Sequence, residues 1–148
     1  MKFLIVINKL NLSGSSTYTL TLASELKNKC HKVDVFTLFQ GVLVNRFIEK
    51  RINVIKNLEE LKNKNYNCIL AQHSIPTLLV RGVLTRVPMV YISHGVLQYR
   101  AFLEQPPSID INVQKYIAIS EEVKENLITN FGIPERKIEI IRNFVDIN

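Results

Sequence analysis

Short apolar runs alternate along the chain with segments whose apolar residues recur every three or four positions. The first run, residues 3–7, is continuously apolar, as expected for a strand that helices cover on both faces. The next segment carries Tyr18, Leu22 and Leu26 at four-residue spacing, which predicts a helix ending near Lys29. Seven strands are predicted in all, at residues 3–7, 33–38, 52–55, 68–71, 89–92, 116–119 and 138–141.

Several helix boundaries are also visible in the sequence. Ser120 is a favourable N-cap, and Gly132 can end the same helix in a left-handed turn. Asn57 can cap another helix, with Glu60 three residues later as in a capping box. The remaining helical patterns cover residues 41–51 and 75–85. Alternating strands and helices predict an α/β fold: a Rossmann-like parallel sheet of about seven strands with helices on both faces.

Composition and charge narrow the class of protein. The chain has 148 residues, is 47% hydrophobic and carries a net charge of +6, which fits one globular domain. Residues 1–64 contain 11 of the 19 Lys and Arg residues but only 5 of the 13 Asp and Glu residues, so they carry the whole excess of positive charge. This surface could meet anionic lipid, a phosphorylated substrate or nucleic acid, but charge alone favours a solvated lysine-rich surface. No recognition helix or aromatic–basic platform supports nucleic-acid binding.

No apolar run approaches the ~20 residues of a membrane helix, and no signal peptide is visible, so a cytoplasmic location is expected. The segment 41–51 has an apolar face with Leu43 and Phe47 and a cationic face with Arg46 and Lys50. It could therefore lie on anionic headgroups as a peripheral contact at the inner face of a membrane. The alternative, that Leu43 and Phe47 face the core, is slightly favoured.

Candidate chemistry lies after the predicted strands, because ligands of such sheets gather outside the carboxyl ends of the strands. Gly14 and Ser15 stand in a small-residue loop leading into the first helix, where backbone N–H groups could bind phosphate. On these residues alone, an ordinary Ser-capped helix is the better interpretation, since no dinucleotide or Walker motif is present.

Two histidines follow neighbouring apolar runs. His73 comes directly after the fourth predicted strand and His94 after the fifth, and imidazole can donate, accept or move a proton near neutral pH. Either histidine alone is as easily a structural loop residue, but two at equivalent strand ends favour a site. The acidic residues do not cluster with them, so no metal site is predicted.

Several short motifs follow one another along the chain. The first are the loop with Ser13-Gly14-Ser15 and the helix with Leu22-Ala23-Ser24-Glu25-Leu26. The others are Gln72-His73-Ser74, the segment from Val87-Pro88 to His94-Gly95, Ile117-Ala118-Ile119-Ser120-Glu121 and Asn143-Phe144-Val145-Asp146. In order and spacing, over nearly the whole chain, this set resembles the N-terminal domain of a GT-B-fold retaining glycosyltransferase of family 4, including its glycine loop and first helix.

The resemblance implies a hexosyltransferase of cell-surface polysaccharide biosynthesis. It would move a sugar from a nucleoside-diphosphate donor to a glycan or lipid-linked acceptor, with no cofactor and no obligatory metal. Gly14 and Ser15 would face the donor diphosphate, and His94 would be the catalytic residue that contacts the transferred sugar. His73 and Ser120 would line the acceptor side of the cleft.

The resemblance also implies an organisation in two domains. Residues 1–142 would be the acceptor-side domain, and residues 143–148 would begin the linker to a donor-binding C-terminal domain that is absent here. This half alone would be inactive in a sugar-transfer assay and would bind nucleotide sugar weakly or not at all. Ser13 and Ser16 depart from the family's loop, where a glycine and often an acidic residue stand. The competing hypothesis is a stand-alone, non-catalytic α/β module that binds an anionic ligand or partner.

Overall fold

A computed structural model describes residues 1–96 and 113–143. This part of the chain forms one seven-stranded sheet flanked by four α-helices. The strands are β1 (Lys2–Lys9), β2 (Lys32–Phe39), β3 (Asn53–Ile55), β4 (Cys68–Ala71), β5 (Met89–Ser93), β6 (Val113–Ala118) and β7 (Ile138–Ile140). The helices are α1 (Gly14–Asn28), α2 (Val44–Glu49), α3 (Ser74–Val83) and α4 (Glu121–Phe131), with short 3₁₀ helices at Leu58–Leu61 and Glu135–Lys137.

The sheet is parallel throughout and has the strand order β3-β2-β1-β4-β5-β6-β7. The predicted Rossmann-like fold is therefore confirmed. The chain runs outward from β1 to β3, then returns and continues from β4 on the other side of β1. Between β1 and β4 the order of the strands reverses, and a crevice opens there at the carboxyl ends of the strands.

The apolar core lies on both faces of the sheet, which explains the unbroken apolar run in β1. Leu4 and Val6 pack into one cluster of buried residues, whereas Ile5 and Ile7 pack into the other. All four side chains are fully buried. Because successive residues of a strand point to opposite faces, a strand covered on both sides must be apolar at every position.

The caps of α4 match the sequence prediction. The Ser120 hydroxyl accepts a hydrogen bond from Val123 N at 3.2 Å, as an N-cap does. Gly132 ends the helix with φ = 65°, and Ile133, which is buried, donates its N–H to the Leu127 carbonyl at 3.1 Å. The Gly132 N–H also donates to the Ile128 carbonyl at 3.1 Å, which is the left-handed αL ending, so both boundaries follow from local residue choice.

Helix α2 is shorter than the predicted 41–51 because Gly41 is held against another loop. A Cβ at Gly41 would lie 2.1 Å from the Leu10 carbonyl oxygen, and Leu43 N donates to that same oxygen at 3.1 Å. The predicted helix after Asn57 is also reduced, to the 3₁₀ helix. There the Asn57 side chain accepts from Glu59 N at 3.0 Å rather than forming a capping box with Glu60.

The apolar face of α2 belongs to the core. Phe47 is fully buried and Leu43 nearly so, in the same cluster as Ile5 and Ile7. These two side chains are therefore not available to lipid headgroups. The interpretation that Leu43 and Phe47 face the core is the correct one. None of the helices in the described part of the chain is long and apolar enough to cross a membrane.

Candidate functional site

A pocket of about 370 Å³ lies at the carboxyl ends of β1, β4 and β5, beside the point where the strand order reverses. It brings together four of the predicted site residues, Gly14, Ser15, His73 and His94. The full lining is Gly14, Ser15, Gln72, His73, Tyr91, Ser93, His94, Gly95, Val96 and Asn143. The helix N-terminus and the two imidazoles thus share one cleft, as strand-end positions in a parallel sheet predict.

The first wall of the pocket is the N-terminus of α1. Ser13 caps this helix: its hydroxyl accepts from Ser16 N at 3.3 Å and donates to the Ser16 hydroxyl at 2.9 Å. The Ser16 hydroxyl in turn donates to the Lys9 carbonyl at 2.9 Å, which ties the start of the helix to the end of β1. Gly14 has open space where a side chain would stand. Backbone N–H groups at such a helix start can bind an anion.

His73 stands where β4 gives way to α3. It is the N-cap residue of α3 in extended conformation, and its carbonyl accepts from Thr77 N at 3.2 Å. Its Nδ1 accepts a hydrogen bond from Asn8 N at 3.3 Å. Because Nδ1 is an acceptor there, the ring hydrogen of neutral His73 lies on Nε2. The end of β1 therefore fixes the ring of His73.

His94 follows β5 and is held by two other elements. Its Nε2 lies 2.7 Å from Gln72 Oε1, and its ring packs edge-on against the Tyr18 ring with centroids 4.7 Å apart. Burial, and secondarily the charge of nearby His73, lower the pKa of His94 from 6.5 to about 4. His94 is consequently neutral at pH 7 and acts there as a hydrogen-bonding group rather than as a cation.

Gln72 and Thr19 belong to the site but were not singled out in the sequence. Both are buried, at 4% and 0% exposure. Gln72 Nε2 donates to the Thr19 hydroxyl at 2.6 Å, and that hydroxyl donates to the Ser15 carbonyl at 2.8 Å. The bond between Gln72 and Thr19 joins residues 53 positions apart, so local pattern does not reveal it. The available signal was the position of Gln72, a polar residue next to His73 at the end of a buried strand.

Ser120 is not brought into this pocket. It does not line it, and its hydroxyl is engaged as the cap of α4. Its assignment to the acceptor side stays a prediction. Of the predicted linker, residues 143–148, Asn143 reaches the pocket and residues 144–148 lie outside the described residues. Within residues 1–96 and 113–143, no three His, Cys, Asp or Glu side chains group as metal ligands would.

Comparison with known families decides the assignment. Residues 43–148, well over half of the chain, match the profile of Glycosyltransferase Family 4. The chain belongs to glycosyltransferase family 4. The resemblance of the cleft motifs is thereby confirmed at the level of the family. Among curated protein sequences, none matches the chain.

Solved structures of longer proteins show the same fold. A glycosyltransferase from Rickettsia africae is similar with a TM-score of 0.77 and 22% identity, over 98% of this chain and 43% of that one. Anabaena HepE in complex with UDP and glucose is similar with a TM-score of 0.76 and 16% identity, over 99% of this chain and 45% of HepE. The lipopolysaccharide outer core galactosyltransferase WaaB is similar with a TM-score of 0.73 and 14% identity, over 100% of this chain and 47% of WaaB. The chain thus spans less than half the length of each and has the fold of one half of a GT-B glycosyltransferase.

Proposed function

We propose that the chain is the N-terminal, acceptor-binding half of a retaining glycosyltransferase. It works with a C-terminal donor-binding domain and transfers a sugar from a nucleoside diphosphate to a glycan or lipid-linked acceptor. Membership of the family supports the class of reaction. The similarity to HepE, solved with UDP and glucose, supports a nucleotide sugar as donor. Similarity to WaaB supports an acceptor of the cell-surface polysaccharide type.

The observation that carries the proposal is the shared pocket of Gly14, Ser15 and His94. A departing diphosphate accumulates negative charge, and preorganised N–H donors at the start of α1 would stabilise that charge. Neutral His94 would contact the transferred sugar on the same rim, and His73 would form the floor on the acceptor side. Closure of the two domains would complete the site and exclude water.

This division of labour places most of the affinity for the donor in the partner domain. In this half the diphosphate would meet the N–H groups at the start of α1 but not the Ser16 hydroxyl, which donates to the Lys9 carbonyl. The reaction would need no metal ion, because the N–H groups and the partner domain supply the stabilising charge. The proposed location is the cytoplasm, with peripheral contact at the inner face of the membrane for a lipid-linked acceptor.

Calorimetry on this chain tests the division of labour. We expect weak or no binding of UDP-glucose, whereas stoichiometric binding with micromolar or tighter Kd would contradict it. Such tight binding by the chain alone, without transfer by any longer form, would instead favour the stand-alone anion-binding module.

The catalytic proposal is tested by sugar transfer in the protein that joins this chain to its donor-binding domain. His94→Ala should lower kcat/KM at least tenfold, because a hydrogen bond to the reacting sugar is lost. His31→Ala is the matched control, since His31 lies beside Met1 at the opposite rim of the sheet. A collapse of the melting temperature in His94→Ala, with normal kcat/KM in the folded fraction, would show that His94 is structural.

A further inference from the structure

The hydrogen bonds that connect Ser15, Thr19 and Gln72 have only one possible direction. The Ser15 carbonyl oxygen can only accept, so the single hydroxyl hydrogen of Thr19 is used in the 2.8 Å bond to it. The Thr19 oxygen must therefore accept at its other contact, the 2.6 Å bond with Gln72. That partner is then the NH₂ group of Gln72, so the hydrogen bonds alone fix the orientation of the amide.

The same reasoning fixes donor and acceptor in the hydrogen bond between Gln72 and His94. With its NH₂ group on Thr19, Gln72 presents Oε1 to His94 Nε2 at 2.7 Å, and a carbonyl oxygen can only accept. The hydrogen of the imidazole must then lie on Nε2. We propose that Gln72, oriented by Thr19, is a positioning residue that fixes His94 in the Nε2–H tautomer, so that Nδ1 is the acceptor offered to a substrate hydroxyl.

Three further features support this assignment. Gln72 and Thr19 are both buried, so water cannot replace either partner without loss. The ring of Tyr18 packs against the His94 ring and limits its rotation. Among residues 1–96 and 113–143, no group bonds to His94 Nδ1, and both His94 and Gln72 line the pocket.

The inference names a substrate feature and rests on the proposed function. An acceptor nitrogen recognises a hydroxyl that can donate, which sugars carry at most carbons. A sugar that lacks this hydroxyl, or carries it as a methyl ether, leaves a half-buried acceptor without a donor and is disfavoured. His94 in this tautomer orients the sugar through a hydrogen bond and does not protonate a leaving group. Gln72 and Thr19 act on the reaction only by orienting the His94 ring.

Nuclear magnetic resonance on this chain tests the tautomer without any need for activity. Long-range ¹H–¹⁵N correlations of ¹⁵N-histidine-labelled protein at pH 7 distinguish Nε2–H from Nδ1–H imidazole. We expect wild-type His94 in the Nε2–H form alone. An Nδ1–H form, or an even mixture of both, would overturn the proposal even if every variant failed to fold.

Four variants test which residues set the tautomer. Gln72→Met removes the acceptor at similar volume and should give a mixture of both forms. Thr19→Val removes the hydroxyl and should also give a mixture, because the amide is no longer held in one orientation. Thr19→Ser keeps the hydroxyl and should restore the single form. Gln72→Glu keeps an acceptor oxygen and should retain Nε2–H. A single Nε2–H form in folded Gln72→Met would contradict the positioning role.

Transfer assays separate this inference from the proposed function. In the protein joined to its donor-binding domain, Gln72→Met should lower kcat/KM about tenfold and should add nothing to His94→Ala. Additive losses would contradict action through His94. If no nucleotide sugar is ever transferred, the proposed function fails, while the tautomer measured on the chain still decides the hydrogen-bond assignment.

Discussion

Acidification should destabilise the fold through His94. Its pKa is about 4 in the folded chain and 6.5 as a free group, so the unfolded chain binds more protons between those values. The contribution of neutral His94 is complete above pH 6.5 and is lost as the pH falls towards 4. Between pH 7 and pH 5, the two pKa values give a loss of ~2 kcal/mol in the free energy of unfolding. The ring is partly open to the pocket, so this figure is an upper bound.

Urea unfolding of the chain, followed by circular dichroism at both pH values, measures this loss when wild type is compared with His94→Gln. The variant cannot gain a proton at this position and should lose up to ~2 kcal/mol less on acidification. Asp34 contributes almost nothing to this difference. Burial would raise its pKa, but hydrogen bonds from Tyr66 and Asn53 and the charges of Lys64 and Lys2 lower it below its usual value, so its contribution is lost only below about pH 4. Equal losses in the two proteins, within ~0.5 kcal/mol, would refute the reasoning.

Four further predictions concern backbone packing, core packing, helix capping and metal use. In urea unfolding, Gly41→Ala should destabilise by ~1–3 kcal/mol because its Cβ overlaps backbone, whereas Gly82→Ala, in a helix with open space, should stabilise by ~0.5–1 kcal/mol. Phe47→Ala should lower the free energy of unfolding by ~3–5 kcal/mol, because Phe47 is fully buried. Ile48→Ala should lower it by less than ~0.5 kcal/mol, because Ile48 is exposed on the same helix, so equal effects would contradict the packing of α2. Ser120→Ala should lower the free energy of unfolding by ~1 kcal/mol through loss of the cap. Sugar transfer by the protein joined to its donor-binding domain should be unchanged by EDTA, and restoration by Mg²⁺ after a loss would overturn the metal-free proposal.

Features that depend on a few adjacent residues were predictable from the sequence. The unbroken apolar run of β1, the Ser120 cap and the Gly132 ending each follow from side-chain chemistry within one or two turns. The positions of His73 and His94 at the carboxyl rim followed as well, because strand ends in a parallel sheet all reach the same edge.

Features that depend on contacts between distant segments were not predictable. Helix α2 begins late because Gly41 packs on the backbone of Leu10, a contact that has no trace in the local pattern. The link from Thr19 through Gln72 to His94 joins three separate elements, and each residue alone resembles an ordinary polar residue at the edge of a core. Sequence patterns report which face a residue takes, but they do not report which polar atom it meets across the fold.

The buried link between α1, β4 and β5 has a consequence for related sequences. Replacing Thr19 alone, or Gln72 alone, leaves a buried donor or acceptor without its partner, a penalty of ~1–3 kcal/mol. Positions 19, 72 and 94 should therefore covary: homologues that keep the imidazole should keep a hydroxyl and an amide with it, and lineages that abandon it should abandon all three together. The coordinated substitution of two buried residues would then record the history of the cleft in related proteins.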